Sequence, residues 1–371
     1  MKDTRLALGM LANAWRRQFS IPLIAVTGSN GKTTVKEMIT AIMSVRHNTL
    51  ATQGNLNNDI GVPLTLLRLR SEHQCAVIEM GANHAGEIAY LTKLAAPQVA
   101  VITNAGPAHL EGFGTLEGVA NAKGEIYGGL TGSGVAVIND DDQFAGMWRG
   151  LCEGKTVIGF GLRQSTDVTA NWHASGTGSE INIKTSLGEI QVLLNLPGRH
   201  NVANALAASA AAIAAGATAH DIKAGLESLR GVAGRLQIMP GKSGSRIIDD
   251  TYNANPASLH VALEVLQNFS GRHFLAMGDM GELGGDAEML HRDAGVQARA
   301  HGVNRLFTVG KLASRAAESF GQDALSFDDQ PAMINAIEHE LAADVTLLVK
   351  GSRLAHMERV VQALNKNGEA R

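Results

Sequence analysis

The sequence predicts an α/β protein with two mostly parallel sheets, each covered by helices on both faces. Short β-branched and apolar runs alternate with amphipathic helical patterns over most of the 371 residues, and this βαβα order is typical of parallel sheets. A glycine-bracketed stretch at residues 231–235 interrupts the alternation, which then restarts. We therefore predict one domain at residues 1–233 and a smaller, Rossmann-like α/β domain at residues 234–371.

In the first domain, buried strands are predicted where apolar runs lead into a loop and then a helical pattern. These runs are residues 23–26, 76–78 and 99–102. From about residue 134 to residue 195 the pattern changes to period-2 segments separated by Gly, Ser and Asp, which favour antiparallel hairpins. We expect these hairpins to extend the parallel sheet as an edge.

Two helices are predicted before the domain boundary, an alanine-rich one at residues 201–215 and a shorter one at residues 219–229. Beyond the boundary, four apolar runs each precede a helical pattern and are predicted to be strands. They are residues 246–248, 274–277, 306–309 and 345–349.

Composition excludes several classes of function. The net charge is −3, and no run of five like charges is present, so we expect neither a nucleic-acid partner nor a polybasic membrane surface. The apolar run at residues 206–219 is too short to span a bilayer, so we expect no membrane insertion. Two cysteines cannot form a disulfide framework. We therefore expect a cytoplasmic protein. Separately, we expect the chain to be a monomer.

The strongest motif lies between the first predicted strand and the next helix. Glycines there allow backbone N–H groups to surround a phosphate, Lys32 can reach the terminal phosphates, and the Thr33 hydroxyl can bind Mg²⁺. Gly28 and Gly31 are separated by two residues, fewer than in the full P-loop pattern. The motif predicts a nucleoside triphosphate site in a P-loop-type domain, with these candidate residues: Thr27, Gly28, Ser29, Asn30, Gly31, Lys32, Thr33 and Thr34.

Three further residues of the first domain have both a functional and a structural interpretation. Glu79 ends a predicted strand, where its carboxylate either completes a Mg²⁺ site with Thr33 or is simply solvated. His109 follows the next strand and is either a ligand or a hydrogen-bonded loop histidine. Nothing in its local sequence distinguishes Lys123 from a surface lysine.

Amide and acidic side chains at later turns form a second group of candidates. Asn201 and Asn204 lie three residues apart on one helical face and suit an adenine edge, although Asn201 equally suits a helix cap. Asp249 or Asp250 could hold ribose hydroxyls or a metal-bound water. Three polar loops, at residues 249–256, 278–284 and 350–353, follow predicted strands, and we expect them to form a binding face at one sheet edge.

Taken together, these motifs resemble those of the Mur ligases of peptidoglycan synthesis. The resemblance implies ATP-dependent amide formation through an acyl phosphate, and it is greatest to members that join D-alanyl-D-alanine to a UDP-N-acetylmuramoyl tripeptide. It runs through nearly the whole chain, in the segments TGSNGKTT, GNLNNDIGVP, EMGANHAGEI, AHLEGFG, AKGEI, LPGRHNVANALAA, DDTYNANP, GDMGELG and KGSR.

The resemblance implies roles for particular residues. Thr33 and Glu79 would hold one Mg²⁺ ion, and His109 with a carbamoylated Lys123 would hold a second ion or position the reacting groups. Lys32, Glu79, His109 and Lys123 are thus the implied catalytic residues. Asn201 and Asn204 match adenine contacts, while Arg235 and Asp250 match residues that reach ATP when the two domains close about residues 231–235. Substrate contacts are implied for Asn55, Asn58, Tyr252, Asn253, Asn255, Lys350, Ser352 and Arg353.

Two alternatives and one departure accompany this interpretation. The chain begins where the family's central domain begins, so we expect the N-terminal UDP-binding domain to be absent. A two-domain folylpolyglutamate synthase-like ligase uses the same acyl-phosphate chemistry, although its acidic turn differs from DDTYNANP. A P-loop protein that binds ATP without ligation would not need the polar loops of the second domain.

Overall fold

Residues 3–107, 110–163, 166–175 and 178–366 are described by a computed structural model, with the backbone alone at residues 110 and 111. The chain divides into two units. The first comprises Met1–Asn195 and Arg199–Arg230, and the second comprises Leu196–Gly198 and Gly231–Arg371. This division lies within a few residues of the domain boundary predicted at residues 233 and 234.

The first unit contains a six-stranded parallel sheet. Its strands are β1 (Leu23–Thr27), β2 (Thr49–Ala51), β3 (Cys75–Glu79), β4 (Val99–Ile102), β5 (Val135–Asn139) and β6 (Thr156–Phe160). They are arranged in the order β2-β3-β1-β4-β5-β6, and every pair is parallel. Every residue of β1, β3 and β4 is buried, as expected for strands covered on both faces.

Nine helices of the first unit are described. They are α1 (Thr4–Arg16), α2 (Lys32–Met43), α3 (Gly61–Leu66), α4 (Glu87–Ala95), α5 (Leu110–Phe113), α6 (Leu116–Gly128), α7 (Ala145–Leu151), α8 (Arg199–Ala214) and α9 (Ala219–Ser228). Several begin at a side-chain cap, such as Thr218, which forms a capping box with Asp221 at the start of α9. Six of the eight alanines of α8 are buried, and their small size suits close packing.

The hairpin region forms a sheet of its own. Strands β7 (Thr169–Ser175), β8 (Gly178–Thr185) and β9 (Gly188–Leu194) pair antiparallel, so the prediction that they extend the parallel sheet as an edge was wrong. The onset predicted near residue 134 was also early, because β5 and β6 belong to the parallel sheet. In β9 buried and exposed residues alternate, and an antiparallel sheet of this kind needs cover on only one face, which α8 and α9 supply.

The second unit contains a mixed six-stranded sheet. Its strands are β10 (Gln237–Pro240), β11 (Arg246–Asp250), β12 (Arg272–Gly278), β13 (Arg305–Val309), β14 (Ala324–Phe327) and β15 (Val345–Lys350). They are arranged in the order β10-β11-β15-β12-β13-β14, and all pairs except β10 with β11 are parallel. The strands predicted after the boundary are therefore confirmed as members of one sheet.

The helices of the second unit cover both faces of this sheet. They are α10 (Pro256–Leu266), α11 (Ala287–Ala300), α12 (Ala313–Phe320), α13 (Gln330–Glu340) and α14 (Glu358–Leu364). Two apolar clusters result, with Leu275 and Leu348 in one and Phe274 and Leu347 in the other, because successive residues of a strand face opposite sides. Among all the helices described, none combines the length and the apolar character that crossing a membrane requires.

Candidate functional site

The glycine loop lies at the centre of the parallel sheet, between β1 and α2. Strand β1 is flanked by β3 on one side and β4 on the other, and loops at the carboxyl ends of such strands form the ligand crevice of α/β proteins. Gly28 has a φ of 146° and Gly31, which precedes α2, a φ of 81°. Lys32 donates hydrogen bonds through Nζ to the carbonyls of Gly28 (2.7 Å) and Ser29 (3.2 Å). The loop therefore curls around the amine at a helix N-terminus, where anions are favoured.

Residues after β4 hold the glycine loop in this shape. Thr103 Oγ1 donates to the Asn30 carbonyl (2.6 Å), and Asn104 Oδ1 accepts from the Asn30 N–H (3.0 Å). Ser29 Oγ donates to the Gly106 carbonyl (3.0 Å) and accepts from the Gly106 N–H (2.9 Å). These bonds from neighbouring residues of the chain fix the shape of the loop. Sequence reasoning missed Thr103 and Asn104, although their position directly after a buried strand was a usable signal.

The two glycines are also required by space. A Cβ atom on Gly28 would lie 1.9 Å from Thr103 Oγ1, and one on Gly31 would lie 2.5 Å from Asn204 Oδ1. Asn204 and Asn201 are 8% and 4% exposed, and Asn204 Nδ2 donates to Asn201 Oδ1 (3.3 Å). The structure therefore places the predicted adenine-binding amides beside the glycine loop. Asn201 is the third residue of α8, inside the helix rather than at its cap.

This packing leads to a prediction for Gly31→Ala. The new methyl group meets Asn204 at a backbone conformation that costs an L-residue about 1 to 2 kcal/mol, so we expect ADP affinity to fall about tenfold or more. Gly188→Ala is the matched control, because Gly188 has a φ of 101° with open space around its Cβ position. Calorimetric titration with ADP measures both variants. Equal ADP affinity in Gly31→Ala and the unmodified chain would contradict the assignment of the loop.

Glu79 ends β3 beside the glycine loop. It pairs in register with Val26, one residue before the loop, and is 2% exposed. Its Oε1 accepts from Asn57 Nδ2 (2.8 Å), and its backbone N–H donates to Thr52 Oγ1 (3.0 Å). Within the part of the chain that the structure describes, its Oε2 is buried and has no hydrogen-bond partner. A buried carboxylate oxygen of this kind suits a cation.

A cation at Glu79 would need ligands from the nucleotide as well. Thr33 is 6% exposed in the first turn of α2, and its hydroxyl is of the type that binds Mg²⁺ in P-loops. Across the described ranges, no group of three or more His, Cys, Asp and Glu side chains is arranged to hold a metal by itself. Mg²⁺ commonly binds through one or two protein groups plus substrate phosphates, so the residues present fit that mode.

Lys123 is buried, although nothing in its local sequence distinguishes it from a surface lysine. It lies on α6, is 1% exposed, and its Nζ is 5.2 Å from the centroid of the Phe113 ring. Burial, with a smaller contribution from the positive charge of Lys32, lowers the pKa of the Lys123 amine from 10.5 to about 7. A buried lysine with a lowered pKa is a functional candidate. The predicted partner His109 lies outside the described residues.

The lowered pKa leads to a stability prediction for Lys123→Met. Between pH 7 and 10.5 the unfolded chain binds the lysine proton and the folded chain does not, so the stability of the unmodified chain rises with pH through this window. In bicarbonate-free buffer we therefore expect Lys123→Met to be the more stable form below pH 7, by up to about 5 kcal/mol, and to lose this advantage by pH 10.5.

Urea unfolding followed by tryptophan fluorescence measures this difference, because Trp15, Trp148 and Trp172 all lie in the first unit. A gap between the two proteins that stays constant from about pH 6.5 to pH 9.5 would show that the amine does not titrate as described.

The polar loops of the second unit meet at one edge of its sheet, as predicted. Strands β11, β15 and β12 are adjacent and parallel. Lys350, 1% exposed, forms an ion pair with Asp250 and donates to the Asn253 carbonyl (3.0 Å). The Arg235 guanidinium lies 4.1 Å from the centroid of the Tyr252 ring, and Asp250 Oδ1 accepts from the Leu236 N–H (3.2 Å). Predicted ATP-binding and substrate-binding residues thus share one network.

Other predicted residues have local structural roles. Asn255 caps α10 by accepting from the Ser258 N–H (2.8 Å), and Asn58 accepts from the Gly61 N–H (2.9 Å) at the start of α3. Asp249 accepts a hydrogen bond from Thr251 Oγ1 (2.6 Å), which stabilises the turn. Of the two candidate carboxylates, Asp249 and Asp250, the first is therefore already engaged within the turn. The remaining predicted substrate positions are two exposed residues, Asn55 and Arg353, and the buried Ser352, and the remaining glycine-loop candidates, Thr27 and Thr34, are buried.

Fold and site together define an α/β protein with a glycine loop of the kind that binds nucleotide phosphates. Residues 26–212 match the Mur ligase middle domain, and residues 234–353 match the family described as Mur ligase, glutamate ligase domain. The chain therefore belongs to the Mur ligase family.

Comparison with individual proteins identifies which members of the family the chain resembles. UDP-N-acetylmuramoyl-tripeptide--D-alanyl-D-alanine ligase of Escherichia coli (strain K12) is 47% identical over 99% of this chain and 82% of its own length. A crystal structure of MurF from Acinetobacter baumannii superposes with a TM-score of 0.91 at 41% identity, covering 97% of this chain and 80% of that one. MurF ligase from Thermotoga maritima, solved in complex with ADP, has a TM-score of 0.86 at 27% identity, covering 98% and 84%.

Proposed function

We propose that this chain is an ATP-dependent ligase that joins D-alanyl-D-alanine to UDP-N-acetylmuramoyl-tripeptide in peptidoglycan precursor synthesis. The observation that carries the proposal is the glycine loop with Lys32 beside a buried carboxylate, in a chain 47% identical to an enzyme of that name. The ADP bound to a relative of the same family supports ATP as the nucleotide.

The reaction proceeds in two displacements. An oxygen of the tripeptide carboxylate attacks the γ-phosphorus of ATP, the bond to the bridging oxygen breaks, and ADP leaves. The amine of D-alanyl-D-alanine then attacks the acyl carbon, a proton is lost from nitrogen, and inorganic phosphate leaves with one carboxylate oxygen. Each step develops negative charge on phosphoryl oxygens, which Lys32 and the N–H groups at the start of α2 stabilise. In this account Lys32 exchanges its bonds to the Gly28 and Ser29 carbonyls for bonds to phosphate.

We further propose Thr33 and Glu79 as the protein ligands of Mg²⁺. The orphaned Oε2 of Glu79 and the nearly buried Thr33 supply an anionic and a neutral oxygen on adjacent elements. Bound there, Mg²⁺ would neutralise charge on the phosphates. Through the ion, Thr33 and Glu79 would hold the phosphates of the nucleotide beside the glycine loop.

For Lys123 we propose carbamoylation, which would make it a ligand or positioning group near Lys32. The neutral amine attacks carbon dioxide, a C–N bond forms, one proton is released, and the side chain becomes an anion. A pKa of about 7 leaves a large neutral fraction at physiological pH, which an ordinary lysine lacks. The anionic form would also replace the repulsion between the buried Lys123 cation and the partly buried Lys32 by an attraction. A second ion held with His109 belongs to the same proposal.

Contacts to the rest of the substrates follow from the family resemblance. Asn201 and Asn204 would contact adenine, since Asn204 lies beside Gly31 and donates a hydrogen bond to Asn201. Arg235 and Asp250 would contact ATP, and the substrate positions given above would bind the peptide substrates. The two cysteines are buried free thiols, which is in keeping with a cytoplasmic location, and we propose that the enzyme acts as a monomer.

Product analysis tests this function. The full chain is incubated with Mg·ATP, UDP-muramoyl tripeptide and D-alanyl-D-alanine, and the pentapeptide product is measured by mass spectrometry together with phosphate release. We expect phosphate release that requires both substrates and matches product one to one. A folylpolyglutamate synthase-like ligase would instead form product from a folate and glutamate. A protein that binds ATP without ligation would release phosphate without product, or none.

A further inference from the structure

Asn57 lies between β2 and α3 and is joined to the end of β3 at two points. Its side-chain Nδ2 donates to Glu79 Oε1 (2.8 Å). Its backbone carbonyl accepts from the Gly81 N–H (2.8 Å). The backbone contact holds the main chain of Asn57 beside the end of β3, which keeps its short side chain within reach of Glu79.

Gly81 leaves the space that this arrangement needs. A Cβ atom on Gly81 would lie 3.0 Å from both Cγ and Oδ1 of Asn57, closer than side-chain atoms normally approach. The absence of a side chain at Gly81 thus leaves room for the amide of Asn57 beside the end of β3.

The hydrogen bond from Asn57 makes the two carboxylate oxygens of Glu79 different from each other. Oε1 is occupied by the amide, while Oε2 is buried and without a hydrogen-bond partner in the described ranges. An amide is a neutral donor, so it fixes the plane of the carboxylate without neutralising its charge. Lysine or arginine at the same place would orient Glu79 but would compete with a metal cation for the charge.

We propose that Asn57 is a positioning residue that holds Glu79 so that Oε2 is presented to the divalent cation of the bound nucleotide. The inference rests on the proposed function, because it takes Glu79 as a metal ligand. Partners that orient metal ligands in this way are typically worth 10- to 100-fold in metal affinity.

The test measures metal binding separately from nucleotide binding. The full chain, Asn57→Ala and Asn57→Leu are each titrated with ADP in the presence of a chelator, and the ADP complexes are then titrated with Mn²⁺ followed by electron paramagnetic resonance. We expect both variants to bind metal-free ADP as the unmodified chain does, and to bind Mn²⁺ about 10- to 100-fold more weakly. Leucine has the same number of side-chain heavy atoms and the same branching as asparagine, so a loss in both variants points to the missing donor rather than to a cavity.

Asn182→Ala is the matched control, because Asn182 Nδ2 also donates to a carboxylate, Glu189 Oε2 (2.7 Å), in the three-stranded sheet. We expect its Mn²⁺ affinity to be unchanged.

Glu79→Gln separates the inference from the function on which it rests. Weak Mn²⁺ binding in Glu79→Gln but normal binding in the Asn57 variants would overturn the role of Asn57 alone. Normal Mn²⁺ binding in all three variants would overturn both the role of Asn57 and that of Glu79 as a metal ligand. If the Asn57 variants lost metal-free ADP affinity as much as Mn²⁺ affinity, the role of Asn57 would also be overturned, since such a loss would indicate a collapsed loop.

Discussion

Replacing Lys32 with alanine is expected to lower kcat/KM for ligation by about 10²- to 10³-fold, the usual effect of removing one group that stabilises transition-state charge. Lys32 lies inside the curve of the glycine loop, 2.7 Å from the Gly28 carbonyl, where the terminal phosphates would bind. No other residue of the loop carries a positive charge. The remaining N–H groups orient phosphate but cannot replace a full charge.

Initial rates of product formation at varied ATP concentration measure this effect. Lys93→Ala is a suitable control, since Lys93 is an exposed lysine in the last turn of α4, and we expect it to behave as the unmodified chain. Circular dichroism shows whether the Lys32 variant is folded. A folded Lys32→Ala enzyme within threefold of the unmodified kcat/KM would remove Lys32 from the mechanism.

Lys123→Ala is expected to lose at least about 10²-fold in kcat, and to recover activity when acetate is added. Alanine removes both the amine and the side chain that fills the buried site beside Phe113. A small carboxylate can then occupy this space and supply the negative charge that the carbamate supplies in the unmodified chain. Lys123→Met is the matched control, because its side chain fills the site, so we expect it to be inactive and not rescued.

The carbamate also predicts a pH dependence. Only the neutral amine reacts with carbon dioxide, and with a pKa of about 7 its fraction falls as pH drops below 7. We therefore expect a carbonyl signal from ¹³C-bicarbonate-treated enzyme by nuclear magnetic resonance, weaker below pH 7 and absent from Lys123→Met. Near-normal activity of Lys123→Ala without acetate would end the proposal.

The glycine loop could be predicted from sequence because its determinants are local. An apolar run, glycines and a lysine at a strand-to-helix junction specify backbone shape within a few residues. Glu79 could be placed at the sheet edge for the same reason, since a strand ends where its apolar run ends. The gathering of the three polar loops at one edge of the second sheet followed from strand alternation, and the adjacency of β11, β15 and β12 confirmed it.

Properties that depend on distant contacts could not be predicted. Lys123 is buried by the packing of α6, which nothing in its neighbouring sequence reveals. Asn57 bonds to a residue 22 positions away and Asn104 to one 74 positions away. The hairpins formed a separate sheet because α8 and α9, later in the chain, cover one of their faces. Each result was decided by tertiary packing rather than by local pattern.

An isotope-transfer experiment tests the central claim, that ATP activates a substrate carboxylate as an acyl phosphate. UDP-muramoyl tripeptide labelled with ¹⁸O in the reacting carboxylate is incubated with the full chain, Mg·ATP and D-alanyl-D-alanine, and the released phosphate is analysed by mass spectrometry. The mechanism predicts one ¹⁸O atom in each phosphate, because the carboxylate oxygen that attacks phosphorus leaves with it. Phosphate without ¹⁸O, released alongside product, would contradict the mechanism.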